Sequence, residues 1–79
     1  MPLPGRQVTI LRYLNDHKTA TMRNLTRDLG MRRADVHEAL RGLADLGLAS
    51  ADHGTLPVSY AITDMGSAVV AAADFKRET

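Results

Sequence analysis

Residues 25–49, LTRDLGMRRADVHEALRGLADLGLA, constrain this 79-residue chain more than any other stretch. They hold two runs of helical leucine spacing separated by a single glycine. Leu25 and Leu29 close one amphipathic run, Gly30 offers a left-handed stop, and Val36, Leu40 and Leu43 recur three and four residues apart in the next. Two helices joined so tightly cross at a steep angle, and Thr26 between the leucines is small enough to let them approach closely.

The second of these helices is expected over residues 33–46. At about 100° per residue, Val36, Ala39, Leu40, Leu43 and Leu46 fall within one arc of roughly 120°. Arg33, Ala34, His37, Glu38, Arg41 and Asp45 occupy the opposite arc, with Arg33, His37 and Arg41 in steps of four. This stripe has two readings. It is a solvated face of the kind every surface helix needs, or it is a basic face that meets nucleic acid.

The remaining elements follow from the same rules. Residues 1–5, with Pro2, Pro4 and Gly5, form a leader, and Val8, Ile10, Leu11 and Leu14 give a first helix over 6–17. Thr19–Ala20 is a short break that suits a single strand pairing. The next helix spans 21–30, with Thr21 as N-cap and Met22, Leu25 and Leu29 as its apolar stripe. Beyond Gly47 the period changes from helical to two. The segments LASA and LPVSYAIT flank the turn residues DHGT, so 48–63 reads as a β-hairpin with Val58, Tyr60 and Ile62 on one face. Pro57 belongs at a strand start or edge. Thr63 caps a last helix over 64–77, whose expected inward stripe is Val69, Ala72 and Phe75. The expected core is Leu11, Leu14, Leu25, Leu29, Val36, Leu40, Leu43, Leu48, Tyr60 and Ile62, with Met31 beneath the turn. Helix, helix, helix, hairpin, helix is an all-α architecture with a small β-hairpin (α+β). It is a winged helix-turn-helix with a three-helix core, a two-stranded wing and a C-terminal helix, a single domain over 1–79.

Charge is distributed unevenly. Residues 1–49 carry eight Lys or Arg against five acids, a balance of +3, whereas residues 50–79 carry two against four, a balance of −2, giving the net +1. Seven of the first eight are arginine, which suits bidentate contact with phosphates and guanine edges. Absence of cysteine removes disulfides and thiolate metal sites and fits a reducing cytoplasm. The longest apolar run, Ala68–Ala73, is too short to span a membrane. The N-terminal residues lack the apolar core of a secretory signal.

The run LGMRRADVHEALRGLADLGLA resembles the LGLSxxTVSRxLxxLExxGLV pattern of winged-helix transcription regulators. SYAITDMG resembles the YxLTxxG that ends the wing in MarR- and PadR-type proteins. The resemblance covers residues 6–75. It implies a regulator of transcription whose third helix enters the major groove while the wing touches the flanking backbone or minor groove. On this chain the resemblance implies a DNA-contact set of Arg33, Ala34, His37, Glu38 and Arg41 on that helix, with Arg23, and Asn24 beside it, as phosphate contacts. Arg27 contacts phosphate or pairs with an acid of the third helix. Arg32 stands where the pattern has a Ser or Thr cap, and His53 is the wing tip's one basic group. The wing otherwise departs from the pattern, since ADHGTLP holds no lysine or arginine and GTLPVSY is apolar. A wing with this Gly-Thr-x-Pro is also similar to Z-DNA-binding winged helices, which have Asn and Tyr where His37 and Arg41 stand here.

Other chemistry has little support. His17, His37 and His53 are not spaced as ligand pairs, so no metal or cofactor is expected. No phosphate-cradling loop, nucleophile elbow or paired-carboxylate pattern occurs, and the chain does not read as an enzyme. A pocket for a small molecule would need a dimer interface, because little volume lies outside the core. The Ala-rich last helix suits a homodimer, and paired half-sites would then be read. The competing function is a winged helix that serves as a protein-interaction module or accessory subunit of a larger assembly.

Overall fold

The computed structural model describes residues 3–78, with side chains described through Ala73. Helix α1 spans Gly5–His17, strand β1 Thr19–Thr21, α2 Met22–Leu29, α3 Arg33–Asp45, β2 Ala49–Asp52, β3 Ser59–Ile62 and α4 Asp64–Glu78. This is the winged helix-turn-helix, with a three-stranded sheet where a two-stranded wing was expected. The strand order is β1-β3-β2, all antiparallel, and Tyr60 sits opposite both Ala20 and Ala51. The third strand forms because Lys18 turns the chain at φ 73°, which lays Thr19–Thr21 along the free edge of β3 and buries Ala20.

Ile10, Leu11 and Leu14 of α1 pack with Leu25, Val36 and Leu43 as the most deeply buried side chains, and Ala39, Leu40, Leu48, Ala49 and Val70 complete the cluster. Leu29, Met31, Tyr60 and Ile62 are half-buried against it rather than enclosed. Transfer of such apolar area from water is the main force holding the three helices together.

Two expected faces are corrected. Leu46 does not belong to the apolar arc of α3, for it is 52% exposed. The helix ends in a Schellman motif: Gly47, at φ 75°, donates its N–H to the Ala44 carbonyl, and Leu48 donates to the Leu43 carbonyl. That turn swings Leu48 inward beside Leu43 and leaves Leu46 in solvent. In α4, Val70 is buried and Ala72 exposed, so the inward stripe runs through Gly66, Val69, Val70 and Ala73. The Phe75 side chain lies outside the described residues. Gly66 sets this rotation by lying directly on the Leu48 carbonyl oxygen. Thr63 fixes the start of α4, with its hydroxyl donating to the Gly47 carbonyl at 2.7 Å and accepting from the Gly66 N–H at 3.1 Å.

Candidate nucleic-acid interface

The helix-turn-helix is held by local chemistry at three points. At the start of α2 the Thr21 hydroxyl accepts from the Asn24 N–H at 3.2 Å while the Asn24 side chain accepts from the Thr21 N–H at 3.1 Å. This reciprocal box satisfies two of the helix's orphan donors. At its end Gly30 adopts φ 64°, which a side chain would resist. At the start of α3, Arg32 occupies the cap position in extended conformation and makes no side-chain cap bond. Its guanidinium turns to Asp35 instead, at 3.8 Å.

Burial of Val36, Ala39, Leu40 and Leu43 orients the opposite side of α3 outward. Arg33, Ala34, His37, Glu38 and Arg41 are all exposed there. Among the described residues, Arg33, Arg41 and Arg23 make no ion pair. The Asn24 side-chain oxygen is committed to the capping box, and its amide N–H donors are not used there. Arg27 pairs with Asp28 of its own helix at 2.9 Å rather than with an acid of α3. Tyr13 of α1 donates its hydroxyl to the other oxygen of that carboxylate. These two bonds hold the Asp28 carboxyl below its ordinary range, and the bond to Asp28 pushes the Tyr13 hydroxyl above its own. His17 stacks on Tyr13 with ring centroids 4.0 Å apart.

The wing turn is closed by the Asp52 carboxylate, which accepts the Gly54 N–H at 2.9 Å, and by the Thr55 hydroxyl, which reaches Asp52, Pro57 and Ser59. His53 is exposed at this turn, and Leu56 is 93% exposed beside it. Between α3 and the sheet lies an open cleft of about 270 Å³, lined by His37, Leu40, Arg41, Ala44, Ser50 and Tyr60 among others. Tyr60 was expected only in the core. The antiparallel register brings it beside the basic stripe, which strand alternation alone could not indicate.

Arg6 also approaches α3. Its Nη1 lies 3.5 Å from Asp35 Oδ1, on the other side of the carboxylate from Arg32. Nothing in the local sequence signals this, because residues 6 and 35 meet only through the packing of α1 on α3. No helix among the described residues is long and apolar enough to cross a membrane.

The IclR helix-turn-helix domain family matches residues 5–53 of the chain. No curated protein sequence matches it significantly. Among solved structures, a variant of Lactococcus lactis ZitR superposes with a TM-score of 0.87 at 22% identity, over 99% of this chain and 55% of that one. A MarR family protein from Bacillus stearothermophilus gives 0.89 at 15% identity, over 99% and 56%. Another ZitR variant, solved in complex with DNA, gives 0.81 at 22% identity, over 98% and 54%. The chain thus spans about half the length of the solved chains it matches. At such identities the likeness establishes the winged-helix fold.

Proposed function

The chain belongs to the IclR helix-turn-helix domain family, a DNA-binding domain, and from this we propose that it regulates transcription by placing α3 in the major groove of double-stranded DNA. The observation that carries the reading is the stripe Arg33, His37 and Arg41, exposed on one side of α3, with neither arginine held in an ion pair among the described residues. Unpaired guanidinium groups on a rigid helix keep their donors free for guanine edges or phosphates. His37 donates to either, Glu38 accepts from a cytosine amino group, and Ala34 leaves room for a thymine methyl. Arg23 and Arg32 contact phosphate, and His53 meets the flanking backbone through the wing. Base contacts supply specificity and phosphate contacts supply affinity.

A DNA-binding role and the absence of cysteine both fit the cytoplasm. A single copy makes few phosphate contacts, so a homodimer through α4, where Ser67, Ala68, Ala71 and Ala72 are exposed, would raise affinity by engaging two half-sites.

The test is fluorescence anisotropy of a labelled duplex of about three helical turns, titrated at several salt concentrations with wild type and with Arg33→Ala/Arg41→Ala. Binding should weaken linearly in log–log form with salt, and the double variant should lose about tenfold or more. Full-strength binding by the double variant would refute α3 as the reading surface.

One observation favours a second reading, a protein-interaction module that docks through the wing. Leu56 is 93% exposed on a turn without lysine or arginine. Leu56→Glu would then abolish partner capture while leaving any duplex binding through α3 intact.

A further inference from the structure

Arg6, Arg32 and Asp35 come from the first turn of α1, the turn before α3 and the first turn of α3, yet they converge on one open groove of about 470 Å³. The two guanidinium groups flank a single carboxylate, each addressing a different oxygen, at 3.5 and 3.8 Å. These separations are ion pairs without hydrogen-bond geometry. The Arg6 and Arg32 side chains stay 61% and 90% exposed, whereas Asp35 is only 27% exposed. So the acid is seated against the protein and the two cations reach past it into solvent, with most of their donors unused.

A carboxylate held between two arginines occupies the place a phosphate oxyanion would take, with matching charge. Exposed pairs of this kind contribute little to stability, so stability alone does not account for the arrangement. The groove lies at the Arg32 end of α3, on the side of the helix that faces α1 and around the helix from the basic stripe. Resting on the DNA-binding reading, we propose that Arg6 and Arg32 together clamp one phosphate of the duplex backbone, and that Asp35 stands in for that phosphate in the free protein. Arg6 is then α1's contribution to the interface. Asp35 acts as a brake, for its charge must be displaced from between the arginines when the backbone arrives.

Salt-dependent anisotropy on the full chain tests this with two unrelated duplexes. Arg6→Ala should lower the magnitude of the log–log salt slope by about 0.9 and weaken both duplexes by a similar factor, about tenfold at moderate salt, since a phosphate contact carries no sequence information. Arg6→Lys should restore the slope and Arg6→Gln should not. Asp35→Asn should tighten binding by about threefold or more. Circular dichroism and melting temperature of every variant should match wild type closely. An unchanged slope in Arg6→Ala, or weaker binding in Asp35→Asn, would overturn the clamp. If Arg33→Ala/Arg41→Ala weakens binding while Arg6→Ala does not, the clamp fails and the reading face stands. If wild type binds no duplex at low salt, both fail together.

Discussion

The carbonyl oxygen of Leu48 occupies the space that a side chain on Gly66 would need, and the Ile62 side chain closes the same space at 2.8 Å from that added Cβ. The contact locks α4 onto the loop that leaves α3, so the two ends of the wing share one backbone anchor. Backbone cannot yield as a flexible side-chain tip does. Gly66→Ala is therefore expected to destabilise the domain by about 1–3 kcal/mol, seen as a fall in melting temperature of about 4–8 °C for each kcal/mol. Ala72→Ser, on the exposed side of the same helix, should change stability by less than about 0.5 kcal/mol.

Leu43 and Leu46 make a paired test of where α3 ends. Leu43→Ala removes a fully buried side chain and should cost about 3 kcal/mol by denaturant unfolding. Leu46→Ala should cost less than about 1 kcal/mol, because the Schellman turn already leaves that side chain in solvent. Equal losses would contradict the turn.

Thr21 links the sheet to the helix-turn-helix, as a residue of β1 and the N-cap of α2. Loss of its hydroxyl in Thr21→Ala should cost about 1 kcal/mol, and Thr21→Ser should recover most of that. Asn24→Ala should likewise lower the melting temperature but leave the salt slope of DNA binding unchanged, since its oxygen serves the cap and the side chain carries no charge. Arg23→Ala should do the reverse, with stability kept and the slope reduced by about 0.9.

Asp28 provides a pH signature. Its folded-state carboxyl is held low by the Tyr13 hydroxyl first and the Arg27 guanidinium second. A depressed carboxyl adds stability that is fully present above the unfolded value of about 3.9 and is lost as pH falls through the folded value. The stability gap between wild type and Asp28→Asn should therefore be constant near neutrality and close as pH drops below about 4. The Tyr13 hydroxyl is raised chiefly by the same bond, so tyrosinate absorbance should develop at lower pH in Asp28→Asn than in wild type.

Much of the fold is written in local pattern. The leucine spacing places α2 and α3, Gly30 and Gly47 mark their ends, Thr21 and Thr63 mark starts, and the change of period marks the wing. Each depends on neighbours within a few residues, and backbone stereochemistry answers to those directly. The α3 stripe was legible for the same reason, because burying Val36, Leu40 and Leu43 fixes where Arg33, His37 and Arg41 point. Leu48 turning inward was legible from Gly47, whereas Leu46, placed in the apolar arc by its spacing, is left in solvent because the turn begins there.

Contacts between segments distant in the chain had no such signature. The pairing of β1 with β3 depends on where α1 delivers Lys18. The rotation of α4 depends on the Leu48 carbonyl, and the engagement of Arg27 depends on Tyr13 setting Asp28. Arg6 reaches Asp35 only because α1 packs across α3. Periodicity determines which face of each helix is apolar, but the choice among apolar faces that fit one another is made by close packing of the whole core. That choice decided which charged side chains were left free at the interface and which were already held.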